Sequence, residues 1–337
     1  MVRVVDEPDS RRVPEVVAHL VNGSTASAVA AVRVLNTYDA VIVQHEYGIF
    51  GGPDGVDVVQ IVEALRVPAI IVFHTVLEQP TASQRLILDR LLDAAAVAVT
   101  MTETARRRLI DRYAADPSKV ITIPHGAVEH SVLRRSKPAG ARPLILTWGL
   151  LGPGKGIEWA IDALEGLRDL NPRYLVLGKT HPKVFEQAGD AYRDTLALRA
   201  RRSGVEDLLE LDDSYLSVPD LAQVVASADV VLLPYDSREQ VTSGVLIEAV
   251  AAGRPVVSTA FPHAVELLGA GSGLVVPQRD SVALESALRR VLSEPGLGES
   301  LAACAAAQAP ELFWSAVGAR YRAVADTLAA AALATAS

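Results

Sequence analysis

Cysteine occurs once in this chain, at Cys304, which excludes an internal disulfide and a zinc site built on several thiolates. No apolar run approaches the roughly 18 residues needed to span a bilayer. The opening stretch MVRVVDEPDSRR lacks the apolar core of a signal peptide, so a cytoplasmic location is expected. Basic charge is short as well. The net charge is −8 and the pI about 5.4, against the basic footprint of a nucleic-acid binder. Lysine is the scarcer cation, with only Lys119, Lys137, Lys155, Lys179 and Lys183. A coding bias toward arginine explains most of that deficit, yet a lysine inside a glycine-rich loop still draws notice.

What is present is ordinary globular material. Hydrophobic residues make up 50% of the chain and charged residues 21%. At 337 residues, two domains are expected. Short runs rich in Val, Ile and Leu recur without alternation: Ala40–Gln44, Ala69–Phe73, Ala96–Met101, Val120–Ile123, Leu144–Trp148, Tyr174–Leu177, Leu208–Leu211, Val230–Pro234, Val256–Thr259 and Gly273–Val276. Such runs read as strands buried on both faces of a parallel sheet. Helix-length segments separate them, among them Gly156–Leu170, Ala191–Ser203, Val218–Ser227, Gly244–Ala252 and Asp280–Ser293. The alternation predicts a doubly wound α/β architecture, in which ligands sit beyond the carboxyl ends of the strands. Ser136–Pro143, with two prolines and a glycine, reads as a linker. Domains are therefore expected at 1–138 and 139–309. A C-terminal helix over 310–337 follows, with Phe313, Trp314, Val317 and Tyr321 on a buried face.

Two segments carry chemistry. The first is Leu144–Gly156, where a strand enters a loop holding Gly149, Gly152, Gly154 and Gly156 around Lys155. Exposed backbone N–H groups, a helix N-terminus and one cation make a diphosphate cradle in outline. The bland alternative is a glycine-rich turn with a solvated lysine. Gly156 stands where a P-loop has Ser or Thr, which counts against an ATPase, and the dinucleotide fingerprint is missing, which disfavours a dehydrogenase. The second segment is Tyr235–Gly253. Ser243 caps a helix there and Gly253 ends it. Glu248 lies on that apolar helix and needs a partner or a ligand, unless it sits on the exposed face.

At these segments the chain resembles retaining glycosyltransferases of the GT-B fold, sequence family 4. The family loop G-R-L-x-x-x-K-G stands here as Gly149-Leu150-Leu151-Gly152-Pro153-Gly154-Lys155-Gly156, and its E-x7-E motif ends on Glu248, eight residues after Gln240. Ala251–Val257, Pro262–Leu267 and Val120–Gly126 extend the resemblance, which covers most of Asp39–Ala325. It implies two Rossmann-like domains with an interdomain cleft, and a nucleotide-diphosphate sugar as donor substrate without any metal or other cofactor. Lys155 would neutralise the donor diphosphate, and Glu248 would bind the donor ribose. Val241, Thr242, Ser243 and Gly244 would hold phosphate. Two positions depart from the family: Leu150 replaces an arginine, and Gln240 replaces a glutamate, so that a neutral amide would meet the sugar hydroxyls. Adjacent Glu239, offset by one residue, would bind the donor in its place.

The same resemblance places His74 beside the reacting end of the sugar, and His45, Glu46, Tyr47, Gly48 and His125 on the acceptor side. Both His45 and His74 follow strands and are expected to face the cleft; a structural contact is the plainer reading for each. Thr102-Glu103 occupies a similar loop. The implied reaction moves a hexosyl group, mannosyl or glucosyl, to a saccharide or lipid-linked acceptor. A hydrolase would want two facing carboxylates, and Glu239 with Glu248 is a poor pair. A catalytically impaired GT-B protein that binds nucleotide or a partner is the alternative. Arg106–Arg108 with Arg112 reads as a solvated face, or as a weak peripheral contact with anionic lipid at the inner membrane face. No oligomeric state follows from the sequence. The first strand-loop-helix unit of a GT-B domain is expected to be absent, because Asp6–Arg12 follows Val2–Val5 directly.

Overall fold

The computed structural model describes residues 1–7, 13–129 and 140–336. Two compact units divide the chain, Met1–Pro124 with Val317–Ser337, and His125–Ala316. Lys137 and the first half of the expected linker, residues 136–139, lie outside the described residues.

The first unit holds β1 (Val2–Val5), β2 (Ala18–Val21), α1 (Thr25–Leu35), β3 (Val41–His45), α2 (Asp57–Glu63), β4 (Ala69–Phe73), α3 (Ala82–Ala94), β5 (Val97–Thr100), α4 (Glu103–Tyr113) and β6 (Val120–Thr122). Strands β3-β4-β5-β6 form one parallel sheet in that order, and β1 pairs with β2 in a second parallel sheet. A cavity of about 530 Å³ lies against both β1 and β3, lined by Val2, Val4, Ile42 and Gln44 among others. Strand β4 is buried at every position, whereas β3 alternates: Val41, Val43 and His45 point inward, Ile42 and Gln44 outward. The unalternating reading of the sequence therefore fits β4 but not β3.

The second unit holds β7 (Leu144–Trp148), α5 (Ile157–Ala163), β8 (Arg173–Leu177), α6 (Pro182–Ala188), α7 (Ala191–Arg202), β9 (Leu209–Asp212), α8 (Val218–Ser227), β10 (Val230–Leu233), α9 (Gly244–Ala251), β11 (Val256–Thr259), α10 (Pro262–Leu268), β12 (Gly273–Val276), α11 (Ser281–Ser293) and α12 (Leu297–Leu312). The helix expected over Gly156–Leu170 stops at Ala163 and continues as a 3-10 turn over Glu165–Leu170. One six-stranded parallel sheet runs in the order β12-β11-β10-β7-β8-β9. It is covered on both faces, as a parallel sheet requires. Leu144, Leu146 and Trp148 pack into one apolar layer, with residues of α9 and α12. Ile145, Tyr174 and Val176 pack into the other, with residues of α5, α7 and α11. The strand order reverses between β7 and β10, so the connections leaving these two strands diverge from a crevice at their carboxyl ends.

The C-terminal segment corrects one expectation. A single helix from Pro310 does not form. Instead α12 runs through Pro310 to Leu312, Phe313 is extended, and α13 (Trp314–Ala336) starts anew. Ala127 causes the break: its N–H donates to Leu312 O at 2.7 Å, and its carbonyl accepts from Trp314 N at 2.9 Å. Val317 is buried against Ile70, Val72 and Val99 of the first unit, while Trp314 is half exposed rather than buried.

Ile145 is fully buried in the centre of the six-stranded sheet. Ile145→Ala is expected to destabilise the second unit by about 3 kcal/mol, measured by denaturant unfolding. A loss under about 1 kcal/mol would show that this layer is not tightly packed.

Candidate active site

The crevice between β7 and β10 is built from the two glycine-bearing connections. After β7, Gly149 has φ +119° and its N–H donates to Leu177 O at 3.0 Å. Gly156 opens α5 with φ +65°, and a Cβ there would lie 1.8 Å from Pro234 O. Only glycine lets the end of β10 press so closely on the start of α5. The two connections are also bonded, Asp236 N donating to Gly154 O at 2.9 Å. Gly152 sits between them on the first loop, against the side chain of Val184.

Lys155 is half-buried, and its ammonium lies 4.3 Å from the centroid of the Tyr235 ring. That ring is buried and stacks on Phe261 at 5.1 Å. Burial lowers the pKa of Lys155. No ion pair joins Lys155 to another described residue. A desolvated cation on an aromatic face, with no carboxylate beside it, is poised for an anion from outside.

The connection after β10 is closely braced. Val241 N donates to Glu239 O at 2.7 Å, and the Gln240 side-chain amide donates to Thr242 O. The amide expected to face sugar hydroxyls thus shapes its own loop. The Thr242 hydroxyl is buried without a partner. Ser243 caps α9, its hydroxyl accepting from Leu246 N at 3.3 Å, and its own N–H donates to His263 Nδ1 at 2.8 Å. Glu248 lies on α9 and accepts from Trp148 Nε1 at 3.2 Å, which supplies the partner that an acid on an apolar helix needs. Trp148, Tyr235 and His263 were absent from the expected site. Each sits at a strand end or inside a singled-out phrase, but their contacts join segments far apart in sequence.

His125 is reassigned. It lies in the second unit, with its ring over the start of α9: a Cβ on Gly244 would be 3.4 Å from its Cε1 and 3.5 Å from its Nε2. Its Nδ1 bonds Gly126 O at 2.7 Å, and its ring meets Trp314 at 5.5 Å. The expected acceptor-side residue therefore stands with the expected donor residues. Leu150, where the family carries arginine, is exposed and offers no charge.

In the first unit, β3 and β4 end together. His74 Nε2 pairs with Gln44 Oε1 at 2.7 Å, and Thr75 donates to Glu46 Oε2 at 2.5 Å. The other Glu46 oxygen accepts from Tyr47 N at 2.9 Å, the Tyr47 hydroxyl donates to Gln84 O at 3.3 Å, and Gly48 is exposed. His45 does not join this polar group. It is fully buried, edge-on to Tyr47 at 5.0 Å and Phe73 at 5.6 Å, with neither ring nitrogen bonded. The inward register of β3 puts it there. Burial, with His74 nearby as a smaller cause, lowers its pKa to about 4. Thr102 is taken up as the cap of α4, and Glu103 pairs with Arg106. In the basic run, Arg106 bonds Val120 O, Arg108 bonds Val76 O and Arg112 pairs with Glu78, so these side chains serve the first unit itself. Among the described residues, no helix is long and apolar enough to cross a membrane, and no cluster of three or more His, Cys, Asp or Glu could hold a metal ion.

Residues 142–294 match the family model described as glycosyl transferases group 1. The D-inositol 3-phosphate glycosyltransferase of Kineococcus radiotolerans is 29% identical over 265 residues, 71% of this chain and 59% of its own length. The phosphatidyl-myo-inositol mannosyltransferase of Mycobacterium leprae is 29% identical over 242 residues, 68% of this chain and 59% of its own. The matched stretches thus span less than two thirds of these curated relatives. Among solved structures, Anabaena HepE in complex with UDP has a TM-score of 0.73 at 18% identity, covering 93% of this chain and 85% of that one. This likeness shows the GT-B fold.

His45 supplies a pH test. Its pKa is about 6.5 unfolded and about 4 folded, so the unfolded state binds the extra proton. The stability held at neutral pH is lost as pH falls from about 6.5 to about 4. His45→Phe removes that loss, so its advantage over the wild type should grow across this window to about 3 kcal/mol in urea unfolding. A difference that does not change with pH would show that His45 is protonated in the folded protein.

Proposed function

We propose that this chain, which carries a group 1 glycosyl transferase segment over residues 142–294 in a GT-B fold, is a retaining hexosyltransferase using a nucleotide-diphosphate sugar. The observation that carries the reading is Lys155, a cation with no carboxylate partner among the described residues, held over Tyr235 at the strand-order reversal.

The donor diphosphate is assigned to Lys155, the glycine-rich loop and the first turn of α9. As the bond from the sugar C1 to the diphosphate oxygen breaks, negative charge grows on the leaving group. A fixed ammonium and fixed N–H donors stabilise that charge more than the ground state, without reorganising at the moment of reaction. The acceptor hydroxyl oxygen bonds C1, and its proton passes to the leaving phosphate on the same face. No protein nucleophile and no metal is required by this route. Glu248, oriented by the Trp148 indole, is assigned to the donor ribose. His74 is assigned to the sugar, and Glu46, Tyr47 and Gly48 to the acceptor.

The relatives support a hydroxyl acceptor, since one is named for inositol 3-phosphate and another for phosphatidyl-myo-inositol. The bound UDP of HepE supports a uridine nucleotide as the first donor to try. A mannosyl or glucosyl donor, a saccharide or lipid-linked acceptor and a cytoplasmic site of action complete the reading.

Calorimetric titration with UDP-, GDP- and ADP-sugars, paired with a turnover assay, tests it. Lys155→Ala is expected to weaken donor binding ten- to a hundred-fold, the loss of about 1.5–3 kcal/mol that accompanies removal of a charged hydrogen bond. Normal turnover by Lys155→Ala would reject the assignment.

A further inference from the structure

We propose that His263 is a positioning residue, which grips both ends of the loop at residues 240–243 and so fixes which donors of α9 meet the donor diphosphate. This rests on the donor reading above.

His263 is buried on α10. Its Nδ1 accepts from Ser243 N at 2.8 Å, and its backbone N–H points to Gln240 O at 3.4 Å. One residue of a neighbouring helix therefore touches the first and last residues of the loop. Inside it, the Gln240 amide bonds Thr242 O, so the segment is closed on itself and tied to the sheet layer through His263.

The tie also selects donors. The first N–H groups of a helix have no acceptor within it. Here the Ser243 N–H goes to His263 Nδ1 and the Leu246 N–H to the Ser243 hydroxyl. Gly244 and Val245 are left as the donors of the first turn without an intrahelical acceptor. Gly244 lies beside the His125 ring, at the point assigned to phosphate. Bare Nδ1 is required, because a protonated Nδ1 would set a donor against a donor. Burial, reinforced by His125 and opposed by Glu266, keeps the ring neutral near pH 7.

The test compares His263→Asn, which sets an amide group near the Nδ1 position, with His263→Gln, which sets it near Nε2. Hydrogen exchange is followed over residues 240–246 in the ligand-free protein, and UDP and GDP are titrated into each form. His263→Asn should keep exchange and affinity within about threefold of the wild type, while His263→Gln should lose tenfold or more in both. Nitrogen-15 shifts of the wild-type ring should show Nδ1 unprotonated. Equal behaviour of the two variants, or a protonated Nδ1, overturns the proposal. If the wild type binds neither of these nucleotides nor ADP, the donor reading fails together with the donor role of His263. The exchange comparison still decides whether the residue holds the loop.

Discussion

The close approach of two loops at the reversal of strand order governs the second unit. Strands β7 and β10 are neighbours, yet the chain leaves them toward opposite sides of the sheet. The two loops therefore start side by side at the strand ends, where Asp236 N donates to Gly154 O. The 1.8 Å that would separate a Gly156 Cβ from Pro234 O measures how little room remains. Every element of the site follows from this proximity. Lys155 is carried over the Tyr235 ring, Trp148 at the end of β7 reaches Glu248 on α9, and the Asp236 amide closes on Gly154. A substitution that pushed these loops apart would disturb the cation, the acid and the helix start together.

Burial acts on the titratable groups of both units in one direction and with different results. Desolvation disfavours the charged form of Lys155, His45 and His263 alike. For the histidines neutrality is the useful state. His263 must present a bare nitrogen to Ser243, and His45 fills an aromatic pocket as a flat ring. Lys155 starts from a far higher pKa, so the same penalty leaves it a cation whose charge is poorly satisfied. A desolvated ammonium gains most from an arriving dianion, because its electrostatic attraction is screened least.

Local rules made much of this legible. Glycine spacing in Gly149–Gly156 marks a tight strand-helix connection, Ser243 caps α9, and unbroken apolar runs mark the central strands β7 and β10 of the six-stranded sheet. What escaped the sequence depends on contacts between distant segments. His45 points inward because β3 is buried on alternate positions, a register that a five-residue run does not reveal. The tail helix breaks at Phe313 because Ala127, nearly two hundred residues earlier, takes the bonds that would have continued it. His125 lies beside α9 for the same reason. It precedes Ala127, whose bridge to Phe313 fixes where the segment runs.

The two departures from the family motif are best considered together. Leu150 stands where the motif has a cation, and Gln240 stands where it has an anion. Losing both keeps the formal balance of the two loops unchanged. Gln240 then does something a carboxylate could not: its side-chain N–H group donates to Thr242 O and closes the loop that His263 holds. Shape, carried by Gln240 and His263, and charge, carried by Lys155, are thereby divided between different residues.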